Sequence, residues 1–279
     1  TTFMTMAYIL AVNPSMLEAA GMDKTAVLIA TALASFIGTL MMAFLANYPF
    51  ALAPGMGLNA YFAYTVCGSM GYSWQIALMA VFVEGLIFIV LSLTNVREAI
   101  FNAIPTNLKK GVSVGIGLFI AFVGLKGAGV VVSDDSTLVA LGNFGRPEVA
   151  LCLIGILVIA VMNHYNVKGS ILWGILITWG LGIICQFAEL YVPNAEVGCY
   201  SLFPDFSNGL AIPSLSPIFC KLDFKGIFSL DFIVILFAFL FVDLFDTVGT
   251  LIGVADQGGL LTKDGKLPQV GAAMMSDAV

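Results

Sequence analysis

The sequence predicts an all-α membrane protein that crosses the bilayer many times. Hydrophobic residues make up 60% of its 279 residues and charged residues only 10%, whereas about a quarter of the residues in a soluble domain are charged. The mean hydropathy is +1.02. Several apolar runs approach the ~20 residues that a helix needs to cross the hydrocarbon core. These observations exclude a water-soluble globular domain.

The hydrophobic runs follow one another along the chain, separated by polar stretches or by prolines and glycines. The first run is expected to be the remainder of a first helix, since neither a charged leader nor a small-residue cleavage site accompanies it. The last run has the length of the first turns of a further span. Two long polar loops are predicted, over residues 126–148 and 188–228. The predicted spans are residues 3–17, 25–46, 58–66, 74–93, 111–125, 149–162, 169–187, 230–255 and 270–279.

The third run is broken. Residues 47–60 contain Pro49, Pro54, Gly55 and Gly57 within apolar sequence, which a continuous helix does not tolerate without repair. We therefore predict an extended segment followed by a half-helix over residues 58–66. Non-helical backbone at membrane depth survives only where protein buries it or where it lines a cavity, and the start of a half-helix directs free N–H groups there. This break is one candidate for a binding site.

The fourth run contains an acidic residue, and the fifth contains several glycines. Glu84 is the single charged residue in the fourth run, and it is compatible either with a structural hydrogen bond to another helix or with a role in proton movement. The fifth run is rich in glycine, with Gly111, Gly115 and Gly117. Small residues of this kind indicate tight packing against a neighbouring helix.

The eighth run carries a polar stripe. Asp243, Asp246, Thr247 and Thr250 are spaced i, i+3, i+4 and i+7, so they share one face of a helix. An ionised carboxylate at the bilayer centre costs at least about 2.5 kcal/mol, and such residues therefore usually mark a binding site or an ion path. The alternative for either aspartate is a structural carboxylate that caps or braces a neighbouring helix. Two acids one turn apart favour a binding site.

Charge and motif content exclude several other functions. The net charge of −6 leaves no basic face for nucleic acid. The five cysteines are scattered without CxxC spacing, so neither a zinc site nor a disulfide framework is predicted. The segment from Gly55 to Ala60 fits G-x-G-x-x-A, but no parallel-sheet unit surrounds it, so no dinucleotide site is inferred. We expect no cofactor and no metal site.

Residues 47–64 (NYPFALAPGMGLNAYFAY), residues 241–255 (FVDLFDTVGTLIGVA) and the following ADQGGLLTKDGKLPQVG resemble the AzgA-like branch of the nucleobase–cation symporter-2 family, the hypoxanthine, guanine and adenine permeases. The resemblance implies fourteen segments in two inverted repeats of seven, divided into a core domain and a gate domain. In that fold, segments three and ten each combine a short mid-membrane strand with a half-helix. The substrate lies between them and segment eight.

This chain would then cover about the first eight segments and the start of a ninth. The core domain would comprise residues 1–96 and 229–279, and the gate domain residues 97–228. The family's segment-ten glutamate, a main purine contact, would lie beyond Val279.

Carried over to this sequence, the family's site residues are the segment-eight acids Asp243 and Asp246 and the segment-three residues Gly57 and Asn59. One acid would bind purine N–H groups, Asn59 would contact the base, and the polar stripe adds Thr247 and Thr250. Asp246 and Glu84 are the residues expected to couple transport to protons, and sodium is the alternative coupling ion. The resemblance further implies proton symport by alternating access in a multi-pass plasma membrane protein that forms a homodimer.

Two other classes of function are alternatives to a purine transporter. An anion transporter or channel of the related sulfate-permease fold would use the same half-helices, but two aspartates at the site would repel an anion. An intramembrane aspartyl protease needs its two aspartates on separate helices that face each other. Asp243 and Asp246 lie on one helix, and no GxGD motif accompanies them.

Overall fold

The computed structural model describes residues 2–94, 96–103, 105–193, 201–203, 214–224, 229–262 and 267–278. Within this part the chain is mostly helical, with one two-stranded hairpin. The helices are α1 (Thr2–Met6), α2 (Ile9–Glu18), α3 (Lys24–Met41), α4 (Met56–Ala60), α5 (Trp74–Leu93), α6 (Val96–Ala103), α7 (Thr106–Gly127), α8 (Pro147–His164), α9 (Ser170–Phe187), α10 (Leu230–Gln257) and α11 (Val270–Ala278). The strands are β1 (Val131–Asp134) and β2 (Leu138–Leu141).

Six helices of the described residues are long and apolar enough to cross a membrane, and their order is that of the predicted spans. They are Lys24–Ala46, Trp74–Leu93, Lys110–Gly127, Pro147–His164, Ser170–Phe187 and Leu230–Gln257. The first predicted run forms α1 and α2, the third contains α4, and the ninth forms α11. The protein is therefore a multi-pass helical membrane protein.

Local sequence explains where several helices begin. Asp23 precedes α3, and its carboxylate accepts hydrogen bonds from the Ala26 N–H at 2.8 Å and the Thr25 hydroxyl at 2.7 Å. These bonds hold the pKa of the Asp23 carboxyl below its usual value. Ser229 precedes α10 and its hydroxyl oxygen accepts from the Phe232 N–H. Pro147 opens α8, where its missing N–H is not needed.

The break in the third run is confirmed. α3 continues as a π-helix over Met42–Ala46 and ends at Asn47, which adopts the left-handed conformation with φ 54°. Residues 47–55 have no regular secondary structure. α4 then starts at Met56 and continues as a π-helix over Tyr61–Ser69, so the half-helix is longer than predicted.

The predicted mid-membrane strand is not formed. Residues 47–55 have no strand partner in the part of the chain that the structure describes. An extended segment becomes a β-strand only when another segment pairs with its N–H and C=O groups. The strand that the family resemblance implies as a partner, and the inverted repeat to which it would belong, stay predictions.

Two elements were not predicted. The polar loop over residues 126–148 contains the hairpin of β1 and β2, which are antiparallel, with Val131 opposite Leu141. Asp134 closes its turn by accepting hydrogen bonds from the backbone N–H groups of Ser136 and Thr137. The polar connector after α5 contains α6.

Glycine packing differs from the prediction. A Cβ atom placed on Gly111, Gly115 or Gly117 would meet nothing within 4 Å. The close approach is made by α10 instead, where a Cβ on Gly249 would lie 3.2 Å from Val112 Cγ1 and 3.3 Å from the Ser113 backbone nitrogen. The small residues that bring α7 and α10 together therefore belong to α10.

The chain divides into two compact units, Thr1–Ala7 with Ile120–Ile212, and Tyr8–Phe119 with Pro213–Val279. In the first unit α8 packs on α9, with Gly155 facing the Thr178 side chain. In the second unit a buried apolar cluster joins the end of α3, residues 47–55, α10 and α11; its members include Met42, Phe50, Val248, Ile252 and Met274. The assignment of residues to core and gate domains stays a prediction.

Candidate functional site

The centre of the candidate site is the contact between α10 and the start of α4. A Cβ atom placed on Gly55 would lie 2.5 Å from Oδ2 of Asp246. Gly55 is the residue immediately before α4, and no side chain caps this helix start. The carboxylate of Asp246 therefore lies beside the start of the half-helix, an end of a helix that favours negative charge. The two features that the sequence singled out separately thus meet in one place.

Residues 47–55 are held in position by three contacts. The Leu52 N–H donates to Thr39 Oγ1 of α3 at 3.0 Å, and the Tyr48 hydroxyl donates to the carbonyl oxygen of Pro268. Phe50 is buried and stacks on Tyr48, with ring centroids 5.0 Å apart. The first of these bonds gives a backbone N–H outside any helix the partner that the membrane environment requires, and the other two contacts hold the segment through its side chains.

Asn59 lies one helical turn beyond Gly55. Its backbone N–H donates to the Gly55 carbonyl oxygen at 3.1 Å, and its side-chain Nδ2 donates to Oδ1 of Asn13 at 2.5 Å. Asn13 is buried in α2, and its own Nδ2 donates to Oγ1 of Thr31 in α3 at 2.7 Å. A Cβ on Gly57 would meet nothing within 4 Å, so space is open beside this turn of α4.

The threonines of the polar stripe differ in their roles. The Thr247 hydroxyl is buried and donates to Oδ2 of Asp277 in α11 at 2.5 Å. The Thr250 hydroxyl donates back to the carbonyl oxygen of Asp246 in its own helix, at 2.7 Å. Thr247 therefore joins α10 to α11, whereas the side chain of Thr250 is satisfied locally.

The two remaining acids are placed differently from Asp246. Asp243 is half-buried on α10, one turn before Asp246. Glu84 is buried in α5, with 3% of its surface exposed, and its neighbour Gly85 approaches the carbonyl oxygen of Ala278 in α11. The roles of these residues in binding and proton coupling stay predictions.

Four polar residues of this region were missed by the sequence analysis: Asn13, Thr31, Thr39 and Asp277. Asp277 stands in the apolar run of α11, and its carboxylate accepts the hydrogen bond of Thr247, the residue next to Asp246. The argument that singled out Asp243 and Asp246, that polar groups in apolar spans need a reason, would have found Asp277 and Asn13 as well. Thr31 and Thr39 gave no such signal, because threonine is common in membrane helices.

The arrangement offers both acceptors and donors of hydrogen bonds. It combines carboxylate and amide oxygens, which accept hydrogen bonds, with the N–H groups of a helix start, which donate them. Among the described residues, no group of three or more His, Cys, Asp or Glu side chains could hold a metal ion.

Comparison with known proteins identifies the family. A family model described as Permease family (Xan_ur_permease) matches residues 1–279. A putative permease of Methanocaldococcus jannaschii is 51% identical over 278 residues, which cover all of this chain and 61% of the relative. The guanine/hypoxanthine permease PbuG of Bacillus subtilis is 45% identical over 289 residues, covering 100% and 62%. The adenine permease AdeP of Escherichia coli is 39% identical over 281 residues, covering 100% and 59%.

The chain spans about three fifths of the length of these relatives. Because the match extends over every residue of the chain and the family consists of transporters, the protease alternative is wrong. The resemblance to the nucleobase–cation symporters is confirmed by the relatives that are guanine/hypoxanthine and adenine permeases. The chain belongs to the permease family, a family of membrane transporters and not of enzymes.

Proposed function

We propose that the protein is a secondary active transporter that takes up purine nucleobases, namely hypoxanthine, guanine and adenine, across the plasma membrane by proton symport. The observation that carries this proposal is the contact of the Asp246 carboxylate with Gly55 at the start of α4. It places an acceptor of hydrogen bonds beside a helix start that offers donors. The names of the guanine/hypoxanthine and adenine permeases among the relatives support the same substrate class.

The chemistry of a purine base matches these groups. Hypoxanthine and guanine are flat and uncharged, and they carry several N–H donors beside carbonyl acceptors. Asp243 and Asp246 accept from adjacent N–H groups, Asn59 offers an amide, and the backbone N–H groups at the start of α4 serve a carbonyl oxygen. Gly57 leaves space for the base, and Thr247 and Thr250 lie on the same face of α10 as the acids.

Proton coupling is assigned to Asp246 and Glu84. A carboxyl group that is shielded from water on one side of the transport cycle binds a proton and releases it when it faces the other side. Asp246 is half-buried and Glu84 is buried. Sodium is the alternative coupling ion, and we assign no organic cofactor.

Transport follows alternating access. In this proposal the core domain, residues 1–96 and 229–279, carries the site across the membrane against the gate domain, residues 97–228. The complete protein has fourteen segments in two inverted repeats of seven, and two copies associate as a homodimer. Crosslinking of the protein in membranes tests the dimer directly.

The deciding experiment is uptake in cells that lack their own purine permeases. Radiolabelled hypoxanthine, guanine, adenine, uracil and sulfate are supplied to cells that express the protein, with and without a protonophore. We expect accumulation of purines that collapses when the protonophore is added. Accumulation that depends on sodium and persists with the protonophore would replace the proton by sodium.

The rival proposal, an anion transporter of the sulfate-permease fold, is tested in the same experiment. The carboxylate of Asp246 at the start of α4, with that of Asp243 one turn before it on α10, makes an anion an unfavourable ligand. Accumulation of sulfate without any purine would establish the rival and overturn the purine assignment.

A further inference from the structure

A directed chain of hydrogen bonds runs from the backbone of α3 to the side chain of Asn59. The Thr31 hydroxyl donates to the carbonyl oxygen of Val27 at 2.7 Å. Thr31 Oγ1 accepts from Asn13 Nδ2 at 2.7 Å. Asn13 Oδ1 then accepts from Asn59 Nδ2 at 2.5 Å. Three segments that are separate in sequence, in α2, α3 and α4, are joined by these bonds.

The first member of the chain fixes the direction of all the others. A carbonyl oxygen only accepts, so the single hydroxyl proton of Thr31 is committed to Val27, and Thr31 Oγ1 is left to accept. The group of Asn13 that faces Thr31 must therefore be the NH₂ group, and the group that faces Asn59 must be the oxygen. Asn59 in turn must direct its own NH₂ group at Asn13. The amide orientations are thus assigned from the hydrogen-bond partners, beginning at the carbonyl oxygen of Val27.

The chain leaves the amide oxygen of Asn59 available. Among the described residues this oxygen accepts no hydrogen bond, and Asn59 is only half-buried, whereas Asn13 and Thr31 are each 3% exposed. Asn59 lies four residues beyond Gly55 in one helical stretch, so both are on the face of α4 where Gly55 meets Asp246.

We propose that Asn13 and Thr31 are positioning residues that hold the carboxamide of Asn59 with its oxygen toward the ligand, so that the ligand group bound there is an N–H donor. This inference rests on the proposed function. It deepens that function, because the side chains at this end of the site then all present oxygen atoms. The edge of the base that faces them is one that carries N–H groups, not ring nitrogen acceptors.

The test compares ligand profiles between variants. Hypoxanthine and its 1-, 3-, 7- and 9-methyl derivatives are bound to the purified protein, since each methyl group blocks one ring nitrogen. The steric effect of a methyl group is the same for every protein variant, so a change in the ratio of affinities reports the hydrogen bond. In the wild type, the derivative that blocks the bonded N–H is expected to bind about tenfold more weakly than hypoxanthine.

The Thr31→Val variant removes the hydroxyl at nearly constant volume and frees both amides to turn. We expect hypoxanthine to bind about tenfold more weakly, and the penalty for the critical methyl derivative to shrink to about threefold or less. Thr31→Ser restores the hydroxyl and should restore the wild-type profile. Thr31→Cys, whose thiol is a weak donor and acceptor, is the second variant in case Thr31→Val does not fold.

Ser35→Ala is the matched control. Ser35 lies one turn after Thr31 in α3, and its hydroxyl has no hydrogen-bond partner among the described residues. This variant should keep both the affinity and the profile. A profile in Thr31→Val that equals the wild type, or a uniform weakening of all five ligands, would mean that Thr31 has only a structural role and would overturn the proposal.

Failure of the inference is distinguishable from failure of the proposed function. If the wild type binds no purine, the function and the ligand assignment both fall. The hydrogen-bond chain is then tested without ligand, by the melting temperatures of Asn13→Leu, Thr31→Val and the double variant. Coupled residues give a double variant less destabilised than the sum of the single variants. Additive losses would overturn the chain itself.

Discussion

The carboxylate of Asp246 and the backbone of Gly55 are in such close contact that a side chain at residue 55 would meet Oδ2 of Asp246. A Cβ atom on Gly55 would lie 2.5 Å from Asp246 Oδ2, a distance that real Cβ atoms essentially never show. The backbone of Gly55, with φ −68° and ψ 122°, is one that any residue adopts. Glycine is therefore favoured here because it leaves space for this carboxylate, and not for its conformational freedom.

Replacing Gly55 by alanine should damage the site while leaving the local backbone unstrained. The added methyl group must displace either the carboxylate of Asp246 or the start of α4. We expect Gly55→Ala to weaken hypoxanthine binding by about tenfold or more, which corresponds to about 1.4 kcal/mol. Isothermal titration of the purified protein measures the change.

Gly117→Ala is the control for this variant. Gly117 lies in α7, and its added Cβ would meet nothing within 4 Å. It should bind hypoxanthine as the wild type does. If both variants bind normally, the contact between Gly55 and Asp246 does not shape the ligand site.

Neutralising either acid of the stripe should abolish transport. Asp243→Asn and Asp246→Asn replace one acceptor oxygen by an NH₂ group, which in the proposed site would face the N–H donors of the base, and hydrogen bonds to charged groups contribute about 1.5–3 kcal/mol. We expect purine uptake to fall by at least about tenfold, with unchanged amounts of protein in the membrane.

The matched control is Asp231→Asn on the same helix. Asp231 lies in the first turn of α10, is exposed and accepts a hydrogen bond from the Tyr72 hydroxyl. Its variant should transport normally. Normal accumulation of purine by Asp243→Asn or Asp246→Asn would remove that residue from the proposed site.

The third segment shows how much of the fold follows from sequence. Pro49, Pro54 and the glycines indicate that the helix is interrupted, because proline lacks a backbone N–H donor and its ring clashes with the preceding turn. They do not say what satisfies the exposed backbone. For the Leu52 N–H it is the Thr39 hydroxyl, which is distant in sequence and chemically ordinary.

The candidate site likewise contains residues that the sequence predicts and residues that it does not. Asp243 and Asp246 could be found from sequence because a charged residue in an apolar run is costly. Asn59 was predicted as a site residue only from the family resemblance, and its partners Asn13 and Thr31 were not predicted. A hydrogen-bond chain across three helices depends on packing, and the spacing of residues along one helix carries no information about it.

The Thr39 hydroxyl should be essential to the irregular segment. It accepts the Leu52 N–H, and a buried backbone donor that loses its partner costs about 1–3 kcal/mol. We expect Thr39→Val to lower the melting temperature in detergent by several degrees, since about 1 kcal/mol shifts it by about 2–4 °C in a protein of this size. Thr39→Ser keeps the acceptor and should melt like the wild type. Equal melting of all three proteins would show that Leu52 finds another partner.

The bond between Thr247 and Asp277 should stabilise the packing of α10 on α11. Thr247→Val keeps the volume of the side chain but removes the hydroxyl that donates to Asp277 Oδ2. Because Asp277 is exposed, the loss of one hydrogen bond leaves no buried carboxylate without a partner, and we expect a loss near the lower end of the range for hydrogen bonds to charged groups, about 1.5 kcal/mol. Thr250→Val is the comparison, since its hydroxyl bonds only to carbonyl oxygens of its own helix. Thermal unfolding in detergent should place the melting temperature of Thr247→Val several degrees below that of Thr250→Val. The reverse order would mean that α10 and α11 are held together by apolar contacts such as those of Val248 and Met274, with no measurable contribution from the polar stripe.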